Sequence, residues 1–127
     1  MDKIIEEKIV KRFIKKMKRD RVIFELSNEK KRSDCIRKLP SILKTNGKQF
    51  ALTNDEQIYQ TLFAKRKVDL IYVISDDRRI DGTYQNAESA LEHALSGSST
   101  YILFFAFAIF IKEEVGYSAP KYILLLE

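Results

Sequence analysis

Tryptophan is missing from this chain, cysteine and histidine occur once each, and only two prolines and four glycines punctuate its 127 residues. With Cys35 alone no internal disulfide can form, so a reducing compartment, the cytoplasm, is expected. One Cys and His93 fall short of the three or four ligands that zinc takes. A membrane-spanning helix needs ~20 apolar residues in a row. The longest uncharged apolar run, Tyr101-Ile-Leu-Phe-Phe-Ala-Phe-Ala-Ile-Phe-Ile111, has about half of that. Residues Met1 to Lys8 carry Asp2, Glu6 and Glu7 and lead into no apolar core, so a secretory signal is not expected. No membrane insertion is expected, and without Trp the amphipathic opening segment lacks an interfacial anchor.

What is present fits one soluble globular domain, with 45% hydrophobic and 32% charged residues. The apolar run marks the core, because neither side of it suits water. Its length and its aromatic and β-branched content predict a fully buried strand, or two strands meeting at a tight bend near Ala106–Ala108. The net charge of +5 hides a division. Residues 1–48 hold 16 Lys/Arg against 7 Asp/Glu, a balance of +9, and residues 49–127 balance at −4. Such asymmetry bears on partners and field rather than on fold.

Ile5, Ile9, Phe13 and Met17 recur every four residues among lysines, which predicts an amphipathic helix over about residues 2–18. Val22, Ile23 and Leu26 continue a helical pattern, although Arg21-Val-Ile-Phe24 also suits a strand. Ser27 or Asn28 caps a third helix reaching about Leu39, which Pro40 ends. Thr45-Asn-Gly47 is a turn signal and residues 49–52 form a short strand. Thr53 or Asn54 caps a helix with Ile58, Leu62 and Phe63 inward, ending in Lys65-Arg66-Lys67. A strand over Val68–Ile74, a polar loop over Ser75–Gly82, and a helix capped by Asn86 and reaching Leu95 follow. The apolar run and a strand over Lys121–Leu126, joined through Gly116–Pro120, close the order.

This order predicts a single α+β domain. Helices pack on a mixed sheet of about four to five strands, residues 1–44 form a basic helical segment, and residues 49–127 hold the sheet and an antiparallel C-terminal meander.

Three constellations invite chemistry. The loop Asp76-Asp77-Arg78-Arg79-Ile80-Asp81-Gly82 follows a buried strand and gathers three carboxylates. As a calcium loop it would put Asp77, Asp81, Gly82 and Glu88 at positions one, five, six and twelve, but Arg79 occupies position three, where an oxygen is needed. No Gly-rich phosphate cradle stands near Asp76 and Asp77 to complete a magnesium site. The loop therefore reads first as a polar turn in which the arginines pair with the acids. Cys35 reads as a small core hydrophobe and His93 as a flank residue of its helix, and neither sits in a nucleophile context. No cofactor or metal is implied.

The third constellation is the basic cluster, with Lys11, Arg12, Lys15, Lys16, Lys18, Arg19, Lys30, Lys31 and Arg32 as its candidate contacts. Lys11, Lys15 and Lys18, with Lys8 or Arg12, can share one helix face suited to anionic groups. Base-stacking aromatics are poorly supplied, since Phe13 and Phe24 read as core-facing. The expectation is a non-enzymatic binding or regulatory protein, of inhibitor or immunity type, that meets an acidic protein partner through this face. Nucleic-acid binding by the same face is the second reading, and a metal-dependent enzyme on Asp76, Asp77 and Asp81 the third. The stripe from Ile5 to Met17 also offers a seam for a homodimer through the first helix.

Overall fold

Alternate residues of the apolar run point to opposite sides of one sheet, and both sides are covered by helices. The computed structural model describes residues 1–44, 48–52, 55–63, 70–105, 108–114 and 121–126. The expected turn at 45–47, the Thr53/Asn54 cap, the cations at 65–67, the apex at 106–107 and the connection at 116–120 lie outside them.

The first helix, α1 (Lys3–Phe13), starts at Asp2, whose carboxylate accepts from the Ile5 amide at 3.1 Å. It stops at Phe13 rather than near residue 18. Ile14 turns extended and bridges Leu43, while the Lys15 amide donates to the Ile42 carbonyl and the Lys44 amide to that of Phe13. Those pairings take the chain out of the helix before the lysines. A short 3₁₀ turn (Lys16–Lys18) leads into α2 (Arg19–Leu26), so the strand reading of residues 21–24 is not realised. Asn28 accepts from the amides of Lys30 and Lys31 ahead of α3 (Arg32–Lys38), and a 3₁₀ turn (Leu39–Ile42) carries Pro40.

Next come β1 (Lys48–Leu52), α4 (Asp55–Phe63), β2 (Leu70–Ser75), β3 (Thr83–Asn86), α5 (Ala87–Ser96), β4 (Tyr101–Phe104), β5 (Ala108–Glu113) and β6 (Lys121–Leu126). The Asn86 side chain caps α5 through the Ser89 amide, as expected. The apolar run is a hairpin, β4 against β5, with Tyr101 opposite Lys112 and Phe104 opposite Ile109.

The sheet has six strands in the order β1-β6-β5-β4-β2-β3, and every neighbouring pair is antiparallel. The expected mixed sheet of four to five strands is corrected on both counts, and one element explains much of it. β3, four residues of mostly polar side chains, folds back on β2 before α5 begins. Without it, β2-α5-β4 reads as a parallel unit. With it, β4 returns to the free edge of β2 in the opposite sense.

Tyr72, Ile74, Ile102, Phe104, Ile109, Ile111 and Leu125 face α1, α2 and α3. Ile71, Val73, Tyr101, Leu103, Phe110 and Leu124 face α4 and α5. Antiparallel sheets commonly leave one face wet; this one does not, which accounts for a run lacking polar alternation. Ile9 and Phe13 are buried and Ile5 packs on the same core, so the α1 stripe is spent inside the molecule, while Met17 lies beyond the helix and is 95% exposed. Among the described residues no helix is long and apolar enough to cross a membrane.

Candidate functional site

Of the nine cations singled out, Lys11, Lys15, Lys16, Lys18, Lys30 and Lys31 are exposed, and Arg12 and Arg19 are half-buried, Arg19 donating to the Ile14 carbonyl. Arg32 is not on that surface. It is buried at the start of α3, and all five of its N–H donors are taken. Nη1 donates to Glu6 Oε1 (2.7 Å) and to the Leu26 carbonyl (2.8 Å). Nη2 donates to Glu6 Oε2 (2.7 Å) and Asp81 Oδ1 (2.9 Å), and Nε to Asp81 Oδ2 (2.6 Å). Tyr72 adds its hydroxyl to Glu6 Oε2 at 2.6 Å. Burial alone lowers the pKa of Arg32, but its bonds to Asp81 and Glu6 outweigh that and raise it. Burial and the bond to Glu6 likewise push the Tyr72 phenol up. This network ties α1, α3 and the loop after β2 together.

The exposed cations concentrate around the turn between α1 and α2. Met17 stands there among Lys15, Lys16 and Lys18, and among the described residues no carboxylate pairs with these three lysines. Beside it Lys18, Arg21 and Lys38 share the rim of a depression of about 190 Å³, with Glu25 as its one carboxylate, bound to Arg21 at 2.8 Å. Arg21 and Lys38 are additions to the expected contacts. Phe24, expected inside, is 57% exposed on α2, with Lys31 Nζ 5.3 Å from its ring centre.

The acidic loop does not form one site. Asp81 turns to Arg32 and to the Ser75 amide (3.1 Å). Asp76 accepts from the Thr100 amide at 2.8 Å and lies 3.6 Å from Arg37. Asp77 accepts from Arg79 Nη2 (3.0 Å), His93 Nε2 (2.9 Å) and the Tyr101 hydroxyl (3.2 Å). The Arg79 bond, then that of His93, holds the Asp77 carboxyl well below the usual carboxylate range. Burial and the neighbouring Asp77 raise the Tyr101 phenol. Three carboxylates thus diverge to three sets of partners, and among the described residues no group of three or more Asp, Glu, His or Cys is arranged to hold a metal ion. Arg79 pairs with an acid as expected of the turn.

His93 and Cys35 sit on opposite sides of the sheet, so they form no nucleophile–base pair. Burial, with help from Glu25, pushes the Cys35 thiol up to about 11, as suits a core residue. Next to Tyr101, the buried Lys112 donates to the Gly97 carbonyl at the end of α5 and lies 5.6 Å from the Tyr101 ring centre. Burial lowers its pKa.

Sequence reasoning passed over Glu6, Arg32 and Tyr72 as a unit. A signal existed: Glu6, Ile9, Val10 and Phe13 share one stripe, as do Arg32, Cys35, Ile36 and Leu39, so opposite charges occupy core positions on two helices. No family model, curated protein or solved structure matches the chain.

Proposed function

We propose that this chain is a small, non-enzymatic binding protein of inhibitor or immunity type, working in the cytoplasm, that docks an acidic protein partner on the cationic side of its N-terminal helices. The observation that carries this reading is Met17, 95% exposed and flanked in sequence by the exposed Lys15, Lys16 and Lys18. An exposed apolar anchor inside a cationic field suits a protein interface, where Met is enriched in the core and charge steers the approach. The neighbouring depression with Lys18, Arg21 and Lys38 extends the same field. The inward-turned carboxylates of the Asp76–Asp81 loop add support, since each is already engaged.

Nucleic-acid binding by the same face is the second reading, favoured by the half-open Phe24 ring beside Lys31. The two separate by experiment. On the first reading, wild type retains one stoichiometric partner from extract of its own cells, and either Met17→Ser or Lys15/Lys16/Lys18→Glu loses it. On the second, DNA or RNA affinity falls steeply with salt, and Met17→Ser leaves it unchanged. Equal capture of the same partner by both variants and wild type would sink the proposal.

A further inference from the structure

The depression of about 190 Å³ beside the turn between α1 and α2 has a lining in two parts. Val22 and Cys35, both buried, and the half-buried Ile42 give it an apolar floor. Around that floor stand Lys18, Arg21 and Lys38, all exposed, from the turn before α2, from α2 itself and from the end of α3. Only the packing of α2 on α3 brings the last two together.

The charges of the lining select the sign of a ligand. Three are cations and one, Glu25, is a carboxylate. Glu25 is 18% exposed and accepts from Arg21 Nε at 2.8 Å one helical turn away, so it neutralises that guanidinium and fixes its reach. The outer nitrogens of Arg21 stay open, and among the described residues no carboxylate pairs with Lys18 or Lys38. Two positive charges thus stand uncompensated over an apolar floor. Ser41 lies on the same rim but spends its hydroxyl hydrogen on the Lys38 carbonyl at 2.7 Å, so recognition falls to the three cations.

We infer that this depression binds a phosphomonoester with a short aliphatic body. The doubly charged head sits among Lys18, Arg21 and Lys38, which offer it charge-assisted hydrogen bonds, and the body covers Val22, Cys35 and Ile42. A monocarboxylate leaves one of the two charges unmatched. A dicarboxylate is charged at both ends and has nothing to lay on the floor, and inorganic phosphate leaves that floor wet. The volume falls below the roughly 300 Å³ at which small-molecule sites usually begin, which limits the body to a few carbons.

The test uses the full chain at low salt and about pH 8, where an alkyl phosphate is a dianion. Methyl resonances of Val22 and Ile42 are followed during titration with n-butyl phosphate, pentanoate, 1-butanol and inorganic phosphate. Butyl phosphate is expected to give saturable shifts with a dissociation constant of millimolar order, and each of the other three to bind at least about fivefold more weakly, for want of charge or of buried methylenes. Arg21→Gln with Lys38→Gln, both on the surface, should weaken butyl phosphate by roughly tenfold. Ser41→Glu should weaken it comparably by setting a carboxylate on the rim. Absence of saturable shifts with butyl phosphate, equal affinity for any of the other three probes, or unchanged affinity in the Arg21/Lys38 variant would each overturn the assignment. A peptide carrying one phosphothreonine among alanines separates the sources of the group: tighter binding than butyl phosphate assigns it to a phosphorylated protein, weaker binding to a free metabolite. Met17→Ser should leave all these affinities unchanged, so the site stands or falls apart from the docking reading above.

Discussion

At the scale of single residues, Arg32 governs the N-terminal half. Replacing it with Met strands Glu6 and Asp81, both nearly buried, without their cation, and this should cost about 3–5 kcal/mol in urea unfolding. Arg32→Lys should recover only part of that loss, since a lysine offers three donors from one point and cannot span both carboxylates as the planar fork does. That Arg32 lies inside was legible in its place on the stripe with Cys35, Ile36 and Leu39; counting cations along the chain conceals it. Its partners were not legible, because Glu6 and Asp81 come from elements that only the fold brings together. The same holds for Asp77 and His93. Since Arg79 and His93 lower the Asp77 pKa on folding, this carboxylate adds stability above its unfolded value, about 4, and loses it as pH falls through the folded one. Wild type should therefore lose urea midpoint on acidification below about pH 4, and the gap between it and Asp77→Asn should close over that range. A constant gap would remove the carboxylate from the account. Gly97 is held to its identity by Tyr101, whose hydroxyl a Cβ there would strike.

Among the elements, the hairpin of β4 and β5 defines the sheet because neighbouring residues of one strand serve different cores. Phe110 meets α4 and α5, while Ile111 meets the N-terminal helices. Phe110→Ala and Ile111→Ala should each cost about 2–5 kcal/mol. A strand with one wet face would tolerate one of the two, so near-neutral behaviour of either variant in denaturant titration contradicts two-sided burial. The hairpin was legible in the length of the run, which exceeds the ~5–6 residues of a typical strand. The early end of α1 was not, since the pairing of Ile14 with Leu43 leaves no mark in a helical period. Nor was β3 legible: its four residues alternate only weakly, as an edge strand beside Tyr72 can afford to do. That one omission reverses the apparent sense of the connection through α5.

At the scale of the whole molecule, one sheet is the shared wall of both cores, so neither helical layer can detach without exposing the other's support. Unfolding should be a single transition, with tyrosine fluorescence and far-ultraviolet circular dichroism giving coincident curves; separated midpoints would show that the layers are independent. The order of elements foretold one α+β unit and the charge count a basic N-terminal side, but neither could say which cations turn outward, because side-chain direction is settled by packing. The strand order carries a consequence for biosynthesis. β1 pairs with β6, Lys48 opposite Leu126, with the remaining strands lying between them in the chain. As the polypeptide leaves the ribosome, β1 emerges long before its neighbour has been translated. The N-terminal helices likewise wait for a floor assembled from strands translated well after them, so the nascent chain must keep its greasy surfaces unsatisfied until β6 has been made.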